Sequence, residues 1–200
     1  MIAIVDPAPV GAPGLVALLL GMLLFVAALV FVRWRKGAAR EAVAHRSSSA
    51  NQGIVLQATG FLLVAIGPLR PSLPAASAAA VGQAVVVALL IGTCVSLFIS
   101  AAVAMGRNWS IGARTRRDHD LVTWGPFAVI RHPIYTGLLA LLLALSVAFG
   151  HWRGLILGLP LFAWGTWIRI QAEESLLLAH FGRQYQAYAA RVKRFLPGIF

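Results

Sequence analysis

Charge is scarce in this sequence. Only 12% of its 200 residues are charged, 6 of them acidic against 17 basic, whereas a soluble domain carries about 25%. The apolar share is 60% and the mean hydropathy +0.82, so an ordinary water-soluble domain is excluded and an integral membrane protein is indicated. Cysteine is also nearly missing. The single Cys94 lies in an apolar run, which rules out a disulfide framework and reads as packing rather than as a nucleophile. Lysine and arginine are missing ahead of the first apolar run: MIAIVDPAPVGAPG has no positive n-region of a signal peptide, so that run is expected to be a retained span. No pattern of metal ligands stands out either. Asp118-His119-Asp120 has the composition for a metal, but one adjacent triplet cannot surround an ion and no second His or Cys group complements it, so no metal is expected.

What the sequence does have is long apolar runs. About 20 apolar residues cross a bilayer core of roughly 30 Å. Five candidates are present: Pro13 to Val32, Gly53 to Leu69 (which carries Gln57), Ala79 to Met105, Pro133 to Gly150, and Gly154 to Ile170, the last rich in tryptophan and interrupted by Pro160. Backbone groups in hydrocarbon must bond within their own segment, so these runs are expected to be helices. The expected fold class is all-α: one membrane domain over residues 1–200, with three spans in 1–105 and two spans plus a tail in 106–200.

The basic residues lie between the runs in three clusters. Arg33, Arg35, Lys36, Arg40 and Arg46 follow the first run. Arg107, Arg114, Arg116, Arg117 and Arg131 separate the third from the fourth. Arg169, Arg183, Arg191, Lys193 and Arg194 follow the fifth. The opposite side holds only Arg70 and Arg153. This is how membrane topology is written, not a nucleic-acid surface, and it predicts five spans with the N-terminus outside and the C-terminus in the cytoplasm. Glu41, Asp118, Asp120, Glu173 and Glu174 share the basic face. The loops on the other face are short, so chemistry is expected on the cytoplasmic side. In the tail, Leu178, Phe181, Tyr185, Tyr188 and Val192 recur at helical spacing, while Arg183, Gln184, Gln186 and Arg191 lie off that stripe. The pattern predicts a cytoplasmic amphipathic helix, lying on the membrane surface or folded back over the ends of the spans.

Two motifs point to a site. In Arg131-His132-Pro133, proline suits the first position of a helix, which puts His132 at the cap and a positive helix end beside Arg131. Such an end binds anions. Tyr135 follows in the first turn, and Gly137 allows close approach. Arginine and tyrosine are also ordinary anchors at a membrane boundary. Glu173 and Glu174 follow the fifth run within a turn of Arg169. They read either as a solvated helix start or as carboxylates for a ligand's amine or hydroxyls.

Together the stretches HDLVTWGPFAVIRHPIYTG (119–137) and EESLLLAHFGRQYQAYAARVKRFLP (173–197) resemble the isoprenylcysteine carboxyl methyltransferases, and more weakly the phospholipid N-methyltransferases. The resemblance covers about the C-terminal half. It implies S-adenosylmethionine as cofactor and a lipidic or prenylated acceptor from the bilayer. Carried over by position, the cofactor residues are His119, Asp120, Leu121, Val122, Phe127 (where the family usually has tyrosine), His132, Pro133, Ile134, Tyr135 and Glu174. The chemistry of the cofactor's carboxylate and ammonium adds Arg131 and Glu173. Arg169 falls near the arginine assigned to substrate and would orient an acceptor carboxylate through a two-pronged contact. The sequence departs from the family near Gly112, where a polar cofactor contact is expected and no such side chain stands. Methyl transfer to a carboxylate needs alignment and water exclusion rather than a base, in keeping with a sequence that shows no nucleophile or acid–base pair. Membrane sterol reductases, which use NADPH, have a similar His-Pro/Tyr/Gly motif and tail. The HDLVT stretch and the paired glutamates favour the methyltransferases. A scaffold or transporter is disfavoured by spans that carry almost no polar groups beyond Gln57 and Gln83.

Overall fold

In a computed structural model, residues 6–36, 45–46, 49–106, 114–115 and 120–195 are described. They form α1 (Ala12–Lys36), α2 (Ser49–Ala65), α3 (Ala78–Met105), α4 (Pro133–Phe149), α5 (Leu155–Phe181) and α6 (Arg183–Arg191), with 3-10 turns at Gly125–Ala128 and Trp152–Gly154. The helical expectation holds, with one addition: His45–Arg46 pairs antiparallel with Arg114–Thr115. Three helices, Ala12–Trp34, Ala78–Met105 and Trp152–Phe181, are long and apolar enough to cross a membrane. The other two apolar helices, Asn51–Ala65 and Pro133–Phe149, are shorter. Leu19, Leu20, Leu23 and Leu24 of α1 and Val85, Val86 and Leu89 of α3 are exposed, a surface made for hydrocarbon rather than water.

Small residues decide which helices meet. Gly53 and Gly60 of α2 face Gly165 and Gly158 of α5 so closely that a Cβ on Gly53 would lie 2.6 Å from the Gly165 carbonyl oxygen, and one on Gly60 2.6 Å from that of Gly158. Lipid gives helices no hydrophobic reason to associate, so close backbone approach between small residues supplies the contact. The order of these contacts makes α2 and α5 antiparallel. On the other side of the bundle, Gly11, Gly14 and Gly21 lie against Ala80, Gln83 and Ile91, so the start of α1 runs parallel to α3. Gly137 of α4 approaches Cys94, and Gln83 Nε2 donates to the Val147 carbonyl at 2.8 Å, so α3 and α4 are antiparallel. The helices therefore alternate in direction along the chain. Leu18, Val87, Ile91, Cys94, Leu141, Ala144 and Ala148 pack between α1, α3 and α4, and Val64, Leu142 and Phe162 between α2, α4 and α5.

One end is sealed by loops. Ala8 N–H donates to the Gly150 carbonyl at 2.9 Å and Val10 N–H to that of Arg70 at 2.9 Å. His151 is buried, with Nδ1 2.8 Å from the Val64 carbonyl oxygen and Nε2 3.0 Å from that of Pro68. The second helix ends at Ala65, short of the expected Leu69, because Gly67 and Pro68 favour a turn and His151 takes the Val64 carbonyl. Pro160 interrupts nothing: it lies early in α5, where its missing N–H removes a single bond to the Ile156 carbonyl. The tail is not one amphipathic helix. Helix α5 runs on to Phe181, Gly182 breaks it at φ +50°, and only α6 presents the stripe, with Tyr185 and Tyr188 buried and Arg183, Gln184, Gln186 and Arg191 exposed.

Candidate functional site

At the end opposite the sealed loops, the start of α4, the last turns of α5 and the chain after α6 come together. Pro133 opens α4 and His132 is its N-cap, but the His132 side chain does no capping. Its backbone carbonyl accepts from Tyr135 N–H at 3.1 Å and Thr136 N–H at 3.2 Å, which leaves the imidazole for other work. The tail pairs with this corner. Arg131 N–H donates to the Lys193 carbonyl at 2.8 Å and His132 N–H to that of Arg194 at 3.1 Å. Tail carbonyls thus take the two backbone donors ahead of Pro133, and the His132 carbonyl takes those of Tyr135 and Thr136. The chain after α6 pairs with the segment that leads into α4.

Glu174 is the hub. Arg194 grips it with two prongs, Nε to Oε1 at 3.0 Å and Nη2 to Oε2 at 2.7 Å. Arg131 Nη1 lies 3.0 Å from Oε1, and His132 Nε2 3.1 Å from Oε1. A carboxylate only accepts, so Nε2 is the protonated ring nitrogen. Two oxygens offer about four lone-pair positions, and Oε2 has a single named donor, so the hub is not saturated. Its contact holds the Arg194 guanidinium above its ordinary range, the hydrogen bond outweighing burial. Arg131 Nη1 also donates to Tyr185 Oη at 3.2 Å. Burial, followed by the Glu174 charge, pushes the Tyr185 phenol up.

Glu173, one residue earlier, serves a second group. Tyr135 Oη donates to its Oε1, Arg169 Nη2 lies 3.9 Å from the same oxygen, and His132 Nδ1 lies 3.8 Å from Oε2. His132 thus stands between the two glutamates. The Arg169 guanidinium sits 5.1 Å from the centre of the Tyr135 ring, and its Nη1 donates to Gln57 Oε1 at 3.0 Å. Three guanidinium groups (Arg131, Arg169, Arg194) against two carboxylates leave one positive charge in a half-buried corner, an arrangement suited to one further anionic group. Arg131 Nε is buried there and lacks an acceptor among the described residues.

Of the residues singled out from the sequence, Arg131, His132, Tyr135, Arg169, Glu173 and Glu174 converge. Pro133 is buried beside them and Ile134 half-buried. Leu121, Val122 and Phe127 are half-buried and Asp120 is exposed on the segment leading into the Gly125–Ala128 turn. That turn is tied to the cluster through α6. Tyr188 Oη donates to the Phe127 carbonyl at 2.7 Å, and burial keeps its phenol protonated, pushed up to about 12. Asp118, His119 and Gly112 lie outside the described residues. Sequence reasoning missed Arg194, Gln57 and Thr166. Arg194 was hidden as one of fifteen basic residues on its face. Gln57 carried a signal, a lone amide in an apolar run, that was read too lightly.

Residues 83–179 match the model of the isoprenylcysteine carboxyl methyltransferase family. A protein-S-isoprenylcysteine O-methyltransferase of Schizosaccharomyces pombe is 33% identical over 103 residues, covering 50% of this chain and 43% of the relative. One from Tribolium castaneum is 31% identical over 120 residues, 54% of this chain and 41% of the relative. The B form of Arabidopsis thaliana is 34% identical over 103 residues, 50% and 52%. The chain spans about half the length of the curated relatives it matches.

Proposed function

We propose, from the match of residues 83–179 to the isoprenylcysteine carboxyl methyltransferase family model, that this protein is an S-adenosylmethionine-dependent membrane methyltransferase that esterifies the carboxylate of an isoprenylcysteine-like or other lipidic acceptor. The observation that carries the reading is the corner where Arg131, His132, Tyr135, Arg169, Glu173, Glu174 and Arg194 meet with one surplus positive charge. The residues fit the cofactor. Arg131 has a buried Nε without an acceptor, suited to the cofactor's carboxylate. Glu174 keeps acceptor capacity on Oε2 for an ammonium or hydroxyl, and Leu121, Val122 and Phe127 offer an apolar wall for a base. His119, Asp120, Pro133 and Ile134 belong to the same proposed pocket.

When bound, S-adenosylmethionine supplies a methyl group on a sulfonium, which an acceptor carboxylate already ionised at neutral pH takes without giving up a proton. The protein's own work is positioning. Arg169 presents its guanidinium to the acceptor, whose lipid tail enters between helices from the bilayer. Glu173 and Tyr135 hold the upper edge of that guanidinium, and the tail over α4 excludes water. Proximity of this kind removes about 7–11 kcal/mol of a two-body barrier.

The proposal extends to the membrane. Helices α2 and α4, at 17 residues each, reach about 26 Å, the short end of what spans a bilayer. The alternating directions of α1 to α5 and the clustering of basic residues in the sequence support five crossings, N-terminus outside, site and C-terminus in the cytoplasm, with residues 106–200 as the cofactor-binding core. The test is ligand-dependent stabilisation of the purified protein, followed by transfer of radiolabelled methyl into membranes. S-adenosylmethionine or its demethylated product is expected to raise the unfolding midpoint, and the label to be released by base as an ester is. Stabilisation by NADPH alone would overturn the reading in favour of a reductase.

A further inference from the structure

Helix α2 lies outside the stretch that matches the family, yet it reaches into the site. Gln57 is 5% exposed and sits in the run between Gly53 and Gly60, whose contacts with Gly165 and Gly158 bring α2 against α5. Its Oε1 accepts from Arg169 Nη1 at 3.0 Å, and its Nε2 donates to Thr166 Oγ1 at 2.7 Å. The orientation of the amide is not arbitrary. A guanidinium only donates, so the oxygen must face Arg169 and the NH2 must face the hydroxyl, which can accept. Arg169 is therefore held from three elements: Gln57 of α2, the Tyr135 ring of α4 at 5.1 Å, and Glu173 of α5 at 3.9 Å.

The chemistry of these holders differs in a way that bears on the acceptor. A carboxylate in direct contact would neutralise the guanidinium. Glu173 stands beyond the roughly 2.7–2.9 Å of a charge-assisted hydrogen bond, whereas the neutral amide of Gln57 lies within hydrogen-bond distance. An amide fixes direction without cancelling charge. We propose that Gln57 is a positioning residue for the acceptor: through its bond to Arg169, backed by Thr166, it fixes the guanidinium so that it selects a carboxylate-bearing acceptor at the membrane-facing side of the site. The inference rests on the methyltransferase reading above and adds the element that confers acceptor selectivity.

The experiment measures methyl transfer from S-adenosylmethionine to an N-acylated S-farnesylcysteine by the full chain in detergent or vesicles. Beside it stands competition by the same molecule as acid and as uncharged carboxamide, with cofactor affinity taken by calorimetry. In the wild type the acid competes better than the carboxamide. In Gln57→Leu, kcat/KM for the acceptor is expected to fall about tenfold or more, the size of a lost hydrogen bond to a charged group. The preference for acid over carboxamide should shrink, and the cofactor Kd should stay within about twofold. Thr166→Val, which releases the far side of the amide, should move both acceptor readouts in the same direction by a smaller factor of about threefold, as a neutral hydrogen bond does. It carries the test if the leucine variant does not fold. Gln57→Glu keeps an acceptor atom but neutralises Arg169, and should also lose the preference for acid. Unchanged acid preference in the folded variants overturns the assignment of Gln57 alone. A wild type that binds no S-adenosylmethionine and transfers no methyl overturns the methyltransferase reading, and the assignment of Gln57 falls with it.

Discussion

At the residue scale, the site depends on Glu174 more than on any other group, since it joins the tail, the start of α4 and α5. Arg194 and Arg131 are bound to it at 2.7–3.0 Å, and its side chain is 12% exposed. Removing one partner of such a cluster leaves the others uncompensated, at a cost of about 3 kcal/mol. Glu174→Gln should therefore lower the unfolding midpoint and release the tail. On the proposed function it should also cost S-adenosylmethionine at least about tenfold in affinity, the weight of a hydrogen bond to a charged group. Calorimetry at a temperature where circular dichroism shows the variant folded checks this, and wild-type affinity there would remove Glu174 from the cofactor site. The sequence made Glu174, Arg131 and His132 legible because rare charged residues beside apolar runs stand out. It concealed Arg194 because fifteen basic residues share one face and nothing local says which one turns inward. It also gave no sign that the N–H groups of Arg131 and His132 are met by carbonyls of Lys193 and Arg194, a pairing across about sixty positions of chain that no local pattern encodes.

At the scale of elements, all five apolar runs were legible from hydropathy; four match their helices within about four residues at each end, whereas the fifth runs past the expected Ile170 to Phe181. Which helices touch was not legible. Glycines at 53, 60, 158 and 165 carry a seven-residue spacing, but the spacing does not name the partner, and only the folded chain sets Gly60 against Gly158. The contact is specific enough to predict from. A Cβ at Gly60 would stand 2.6 Å from the Gly158 carbonyl oxygen and 3.1 Å from the Phe162 nitrogen, both backbone, so neither neighbour can rotate away. Gly60→Ala should destabilise the fold by about 1–3 kcal/mol, as overpacking does. At Gly82, also helical, a Cβ meets nothing within 4 Å. Gly82→Ala should be neutral or stabilise by up to about 1 kcal/mol, the helix preference of alanine. Unfolding curves for the two variants side by side decide it: equal effects would mean that the α2–α5 approach is looser than the structure has it. Because Gln57 lies between Gly53 and Gly60, the same approach delivers it to Arg169, so Gly60→Ala should also weaken acceptor handling while leaving the Glu174 cluster in place.

At the scale of the whole molecule, the fold has two unlike ends. One is closed by loop-to-loop bonds through Val10, Arg70 and His151; the other gathers the charged cluster. Five helices of alternating direction put the ends on opposite faces of whatever layer the exposed leucines and valines occupy. The proposed topology, read from the charge asymmetry of the sequence, puts the cluster end in the cytoplasm. The chain offers a clean way to test this, because its only cysteine, Cys94, is 1% exposed and should contribute little background. Ser72→Cys places a thiol on the exposed loop between α2 and α3, and Ala187→Cys one on the exposed face of α6. Neither position takes part in the charged cluster, so both variants should retain the wild-type fold. A membrane-impermeant maleimide applied to intact cells should label Ser72→Cys at once and Ala187→Cys only after permeabilisation. The reverse pattern would invert the topology while keeping the number of crossings odd. Labelling of both from outside would mean an even number of crossings between these two positions. In that case one of α3, α4 and α5, α4 foremost at 17 residues, would lie within one leaflet instead of crossing, and the route by which a lipidic acceptor reaches Arg169 would run along that leaflet rather than between two spans.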